Sequence, residues 1–277
     1  MINIDSFTKM GFSHNLFEDS VLTGELPFPY IIVCDGCSGS KDTHLGSHIL
    51  AKAAEIELKN NSSINNKFSE ATIYRAKSMA ESIGLDVRSL DATLLISYIK
   101  DNKVYVWMTG DGCLYYKEKN IENTLSISYF NNTPYYLSYS LNDRFLEAYE
   151  NKIKESNITE PKTITHFKNN EKSKESKPYT KALTFIFDLE DLAYLILSTD
   201  GIESFNNKNE QLKNEEERHF NHIDSEMHSI KNLQGEFIKR RLNRIIKDQN
   251  KDDIVNKDDL GIAGFSFNHN KLGVNNE

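Results

Sequence analysis

The run ATLLISYI at Ala92–Ile99, followed after a short polar tract by VYVWM at Val104–Met108, constrains this chain more than any other stretch. Both runs are rich in β-branched and aromatic residues, which suit a pleated, buried surface. The tract between them, Lys100–Lys103, contains the pair Asp101-Asn102, residue types that favour a tight turn. The spacing predicts a β-hairpin and commits this part of the chain to antiparallel sheet.

Other segments read in the same way. Tyr30–Cys34 (YIIVC) predicts a buried strand that stops at Asp35-Gly36. Leu45, Ile49, Leu50, Ala53, Ala54 and Leu58 then form an apolar helical stripe. The sequence NNSSINN breaks it, and a second helix is expected from about Phe68 to Ile83. Short strands are expected at Ser20–Leu22, at Leu114–Tyr116 after the turn at Gly110–Gly112, and at Leu125–Phe130. Residues 151–178 are rich in Lys, Glu, Asn and Ser with few apolar anchors, which predicts a flexible excursion. Ala182–Phe187 and Leu192–Leu197 look like a second strand pair, and residues 206–222 are again polar. Ile230–Ile246 carries helical spacing, and Leu260–Phe267 (LGIAGFSF) closes the chain as a last strand. Paired strands with segregated helices point to a single antiparallel α+β layered domain over 1–277 rather than to alternating βαβ units.

Composition limits the classes of partner. The net charge of −8 supplies no basic footprint for a nucleic-acid backbone, so no nucleic acid is expected. No apolar run is long enough to span a bilayer, and the opening MINIDSFTKM lacks a charged-then-apolar leader. No membrane association is therefore expected. Cys34, Cys37 and Cys113 are too few for a disulfide framework and suit a reducing compartment, which makes the cytoplasm the expected location.

The chemistry is concentrated in acids. Asp35-Gly36, Asp111-Gly112 and Asp200-Gly201 each follow an apolar strand candidate: YIIVC-DG, VYVWMTG-DG and LAYLILST-DG. A single Asp-Gly step is an ordinary turn dipeptide. Three in the same position after buried strands are more than punctuation, because a carboxylate there is held rigidly and the glycine lets a ligand approach. Glu18-Asp19 and Asp258-Asp259 add acids at the edges of two further strands. Such a set repels itself unless cations neutralise it. Oxygen-only donors select a hard ion such as Mg²⁺ or Mn²⁺.

In this order, GFSHNLFEDS, VCDGCSGS, DATLLISYI…VYVWMTGDG, LILSTDG and KDDLGIAGF resemble the metal-dependent protein phosphatase 2C family. The likeness is to its bacterial branch, with a Gly-x-Ser-His opening and a Gly-Asp-Gly motif, and runs from about Gly11 to Phe267. It implies a four-layer αββα sandwich: two central antiparallel sheets flanked by helices. It also implies two Mg or Mn ions, with a possible third, at one end of the sandwich. By this resemblance Asp35 bridges both ions, the Gly36 carbonyl binds one, and Asp19 holds a metal-bound water. Asp200 and Asp258 complete the second ion's shell, with Asp259 the register alternative to Asp258. Asp111 matches the site of a third, weaker ion. The implied reaction is hydrolysis of a phosphoserine or phosphothreonine monoester by in-line attack of a metal-bridging hydroxide, without a phosphoenzyme. The implied partners are a phosphorylated protein substrate and a cognate Ser/Thr kinase, and the implied state is a monomer.

The chain departs from the family at two places. Where many members carry a phosphate-gripping arginine this one has His14, which the resemblance assigns to phosphate binding or to proton donation toward the leaving group. Where eukaryotic relatives have a His after the first Asp-Gly it has Cys37. The general acid stays open. Cys34-Asp-Gly-Cys37 matches Cys-x-x-Cys in form, but no second pair accompanies it, and packing is the expected role. Ser38-Gly39-Ser40 reads as a turn into the helix, with Asp42 or Thr43 as its N-cap. Two rival readings stay beside catalysis: a binding module that keeps the fold but turns over little, and a phosphatase of a small phosphorylated metabolite or nucleotide.

Overall fold

In the computed structural model, residues 2–61, 64, 67–168, 171–180, 182–209, 223 and 226–268 are described. The chain opens with β1 (Ile2–Lys9), β2 (Ser20–Gly24) and β3 (Tyr30–Cys34), then α1 (Thr43–Asn61) and α2 (Phe68–Ser82). Next come β4 (Leu94–Lys100), β5 (Lys103–Thr109), β6 (Gly112–Glu118), β7 (Ile121–Tyr129), α3 (Asp143–Glu155), β8 (Lys162–Lys168) and β9 (Glu171–Lys177). The last third holds β10 (Leu183–Asp188), β11 (Leu192–Ser198), β12 (Phe205–Asn207), α4 (Phe237–Gln249), β13 (Ile254–Asn256) and β14 (Leu260–Phe267). A seven-stranded sheet runs β1-β14-β11-β6-β7-β8-β9 and a five-stranded sheet runs β10-β5-β4-β3-β2. Every pairing within them is antiparallel.

Alternation along the strands builds four layers. Ile31 and Val33 of β3 point into the space between the sheets, where they meet Leu95, Met108, Leu197, Ala263 and Phe265. Ile32 and Cys34 point the other way, onto Leu50, Ala54 and Ala76 of α1 and α2. This is why YIIVC is apolar throughout: both of its faces are covered. On the far side, Ile196 and Ile262 pack under Ile238, Leu242 and Ile245 of α4. The αββα sandwich expected from the motifs is the observed architecture. No helix of the described residues is long and apolar enough to cross a membrane.

The hairpin forms with the register its turn dictates. Leu94 faces Thr109 and Lys100 faces Lys103, which leaves Asp101 and Asn102 as a two-residue turn with φ of +50° and +57°. Both residue types accept that left-handed backbone at little cost.

Three expectations are corrected. Residues 151–178 are not an excursion but the end of α3 followed by β8 and β9. Helix α3 buries Tyr149 and Ile153 and is capped by the Asn142 side chain, which accepts from Arg144 N–H at 3.0 Å. Strand β9, EKSKESK, is exposed along nearly all its length and pairs with β8 through backbone, with Lys172 lying over the Phe167 ring across the pair. Its charges are what an edge strand needs against pairing with other chains, and they erase the apolar signal that marks a strand. Second, β10 and β11 are not a pair. The turn at Leu189–Asp191 carries the chain from one sheet to the other, so β10 joins β5 while β11 inserts between β14 and β6. Third, the helical spacing at Ile230–Ile246 becomes helix only from Phe237. Strand β1, which completes the large sheet against β14, went unrecognised. Of the polar stretch 206–222, residues 206–209 include the end of β12, and 210–222 lie outside the described residues.

Candidate metal centre

The acidic residues collect where β3, β11 and the β5–β6 turn end and where β2 and β14 begin. Asp35 sits directly after β3. Its N–H donates to Thr93 Oγ1 at 3.0 Å and its carbonyl accepts from Thr93 N–H at 2.8 Å, so its backbone is clamped to the strand beside it. Gly36 follows in a space that admits no side chain: a Cβ there would lie 2.8 Å from the Glu18 carbonyl oxygen and 2.9 Å from that of Thr43. Thr43 opens α1, and its hydroxyl donates to Glu18 Oε1 at 2.8 Å and to the Cys37 carbonyl at 3.1 Å rather than capping the helix.

Asp19 precedes β2 and is fully buried. Its Oδ2 accepts from Thr199 Oγ1 at 2.8 Å, and Thr199 Oγ1 accepts in turn from Gly261 N–H at 3.1 Å. Asp19 Oδ1 is buried with no hydrogen-bond partner among the described residues. Asp200 opens the tight turn Asp200–Glu203 that stops β11. A Cβ on Gly201 would lie 1.6 Å from the Asp259 carbonyl oxygen, so the Asp200 turn and the entry to β14 touch through backbone. Asp111 lies between Gly110 and Gly112, both at positive φ, in the turn from β5 to β6.

The adjacent acids Asp258 and Asp259 have opposite surroundings. Asp259 is buried, and its two oxygens accept from Gly11 N–H at 2.7 Å and Glu18 N–H at 2.5 Å. Burial pushes this carboxyl up, but His14 and those two N–H groups outweigh it and hold it below the ordinary range. Asp258 keeps a third of its side chain exposed, and burial with the Asp200 charge pushes it up to about 7. Of the register pair, Asp258 is the one turned toward the other acids.

Electrostatics ties the set together. Burial first, and then Asp19, Asp200, Asp258 and Asp111 in that order, push Asp35 well above the usual carboxylate range. Asp19 is pushed up by burial and by Asp258, Asp259 and Asp200, against the pull of Thr199. Asp19, Asp111, Asp200 and Asp258, from distant parts of the sequence, therefore all lie within charge range of Asp35. Among the described residues, no group of three or more His, Cys, Asp or Glu side chains already converges as a ligand set. Some oxygens are committed elsewhere: Asp19 Oδ2 to Thr199, and Asp258 Oδ1 to His14 at 3.3 Å. The orphaned Asp19 Oδ1 and the mutual repulsion nonetheless fit a hard divalent cation, which would accept the unpaired oxygen and neutralise the charge.

His14 stands in the middle of these acids. Nδ1 lies 3.2 Å from Asp259 Oδ2 and 4.0 Å from Glu18 Oε2, while Nε2 lies 3.3 Å from Asp258 Oδ1. Nδ1 makes no well-angled hydrogen bond, so these are charge contacts. They raise the imidazole to about 9, Asp259 contributing most, against the opposing effect of burial. The ring is an imidazolium at neutral pH. Thr93, Thr199 and Asp91, which hold the acid-bearing backbone, were not foreseen. The hydroxyl directly before Asp200 in LILST-DG was the one visible hint. Cys34 is buried, Cys37 is partly exposed, and both are free thiols, in line with packing.

Comparison with known proteins adds independent weight. A family model described as Protein phosphatase 2C matches residues 16–247. No curated protein sequence matches the chain significantly. Among solved structures, the serine/threonine phosphatase Stp1 from Staphylococcus aureus aligns with TM-score 0.54 and 14% identity over 97% of this chain and 96% of that one. The serine/threonine phosphatase PstP/Ppp of Mycobacterium tuberculosis aligns with TM-score 0.53 and 13% identity over 97% and 99%. The catalytic domain of PstP in complex with two manganese ions gives TM-score 0.51 and 13% identity over 96% and 97%. At such identities the structures establish a shared fold.

Proposed function

The chain belongs to the protein phosphatase 2C family, a family of phosphoprotein phosphatases, and from this premise we propose that it is a metal-dependent serine/threonine protein phosphatase. The observation that carries the metal centre is the gathering of Asp19, Asp111, Asp200 and Asp258 around Asp35, with one buried oxygen, Asp19 Oδ1, left without a partner among the described residues. In this reading Asp35, the Gly36 carbonyl, Asp200 and Asp258 would hold two Mg or Mn ions, with Asp19 supporting them through its unpartnered Oδ1. Asp111 would serve a third ion. Asp259 is a strut that ties the Gly11–Glu18 segment to β14 rather than a ligand.

Bound divalent ions would supply the charge that lets an anionic phosphomonoester be approached and would lower the pKa of the attacking water. The chain's own residues do the rest. The Thr93 clamp fixes Asp35, the Thr199 hydroxyl fixes Asp19, and the rigidity of strand ends keeps the carboxylates from collapsing onto solvent. Among the described residues, His14 is the cation that lies against these acids. As an imidazolium it attracts phosphate oxygens and carries a proton at Nδ1 or Nε2 for a leaving alkoxide.

The test is direct. The purified protein hydrolyses p-nitrophenyl phosphate with Mn²⁺ or Mg²⁺ and loses the activity in EDTA. Asp35→Asn and Asp200→Asn lower it by on the order of 10³-fold, with circular dichroism unchanged. Activity that survives EDTA or either substitution would overturn the two-metal reading. Manganese binding by calorimetry with no turnover of any phosphopeptide would instead favour a binding module.

A further inference from the structure

Next to the carboxylates a cleft of about 430 Å³ opens between the loop that follows Asp35 and the segment that leads into α3. Cys37 and Ser40 form one wall, and Tyr136, Tyr139 and Tyr149 the other. Tyr136 stands between cleft and acids: burial, then Asp111, Cys37 and Asp35, push its hydroxyl up. The two walls are fastened to each other from below. The buried Asp91 carboxylate accepts from Ser40 Oγ and from Ser138 Oγ, each at 2.6 Å, and the Asp91 carbonyl accepts from Cys37 N–H at 2.8 Å. Tyrosine rings build the far wall, Tyr136 meeting Tyr139 edge to face with centroids 5.5 Å apart and Tyr139 tilted against Tyr149 at 5.2 Å. The cleft is therefore formed before anything enters it.

Its exposed charges are cationic. Arg88 and Lys152 both line it and both reach solvent. Arg88 Nε is 3.9 Å from Asp91, whose oxygens already serve two serines, and its guanidinium lies over the Phe145 ring at 5.9 Å. Lys152 Nζ donates to a neutral group, Thr133 Oγ1, at 3.1 Å. In a chain of net charge −8, two exposed cations stand out here, Arg88 held only at 3.9 Å from the already committed Asp91 and Lys152 bonded to a neutral hydroxyl. Cys37, two residues after Asp35, and Tyr136 line the cleft, so a peptide whose phosphorylated side chain reaches the acids can lay a neighbouring residue along it. A carboxylate on that neighbour meets Arg88 and Lys152 while its methylene stem lies on the tyrosines.

We propose that this cleft is a subsite for an acidic side chain, Asp or Glu, close in sequence to the phosphorylated residue of a protein substrate. The proposal rests on the phosphatase reading above and narrows it to acidic phosphoproteins.

The experiment compares two phosphoserine peptides that differ only in carrying Glu or Lys beside the phosphorylated residue. It reads kcat/KM and, separately from turnover, the Kd of non-hydrolysable phosphonate versions by fluorescence anisotropy with Mn²⁺ on the full chain. The Glu peptide is preferred by about 5- to 10-fold in both, as expected for two partly exposed charge contacts. Arg88→Glu with Lys152→Glu reverses the preference, and Lys152→Glu alone, on the exposed face of α3, narrows it. Lys247→Glu on α4 leaves the preference intact. Equal use of the two peptides, no reversal in the double variant, or an equal response to Lys247→Glu would overturn the subsite. If neither peptide nor p-nitrophenyl phosphate turns over while the binding preference and its reversal persist, the phosphatase reading fails and the acidic subsite stands. If neither peptide binds or turns over, both fail.

Discussion

Two sets of buried carboxylates sit on either side of β3 and are finished differently. On α1, Glu55 accepts from Lys59 at 2.8 Å and also from Lys52 and Tyr30, and Glu57 accepts from Arg75 at 2.5 Å. Burial pushes Glu55 up, yet its three donors outweigh that and bring it down to about 2. At the strand ends, Asp35 and Asp19 are pushed the other way by burial and by the carboxylates around them. The first set is neutralised within the protein and serves the fold. In the second set His14 is the cation that faces the acids among the described residues, and buried Asp35 and Asp19 are left repelling their carboxylate neighbours, which is the electrostatic mark of a working site.

The contrast can be broken by experiment, most forcefully with metal. Adding Mn²⁺ to the EDTA-treated protein raises its stability by about 3 kcal/mol at a hundredfold excess over the dissociation constant. Asp35→Asn removes most of that gain in thermal melts, whereas Glu55→Gln keeps it. An equal metal response in wild type and Asp35→Asn would erase the difference between the two sets. A smaller effect comes from the finished set. Glu55→Gln removes the charge and one of the two acceptor oxygens shared by two lysines and a tyrosine, and costs about 2 kcal/mol in denaturant unfolding, while phosphatase activity stays within about twofold. A loss of activity on the scale of Asp35→Asn would show that the α1 pairs belong to the site.

The smallest effect is one of pH. A carboxyl lowered in the folded state contributes stability above its unfolded pKa and loses it as pH falls toward the folded value. For Glu55 the window runs from 4.5 down to about 2. Between pH 4.5 and 3.5 the wild type loses about 1 kcal/mol that Glu55→Gln does not. Parallel pH profiles for the two proteins would remove Glu55 from the account.

Features set by neighbouring residues could be read directly. The Asp101-Asn102 turn, the doubly covered YIIVC strand and the last strand each carry a local pattern strong enough to specify an element. Strand β9 carries none, because an edge strand is stabilised by its partner's backbone and kept polar by the need to avoid other chains. The separation of β10 from β11 was equally hidden, since a three-residue turn between apolar runs looks the same whether the next strand folds back or crosses to another sheet. Within the candidate site, the acids were found from their position after strands. Their supports, Thr93, Thr199 and Asp91, were not, because their partners lie 58, 180 and 47 residues away.

The amino-acid sequence by itself determined the strand and helix content near the site, the glycines that keep its backbones close, and the identity of the acids. Those properties depend on side-chain period and backbone sterics, which are local. Only the tertiary structure decided that Asp258 faces the other acids while Asp259 is spent on the N–H groups of Gly11 and Glu18, and that His14 lies between them as a cation. Adjacent residues at a strand entry point in opposite directions, and which points inward depends on a chain segment some 240 residues away.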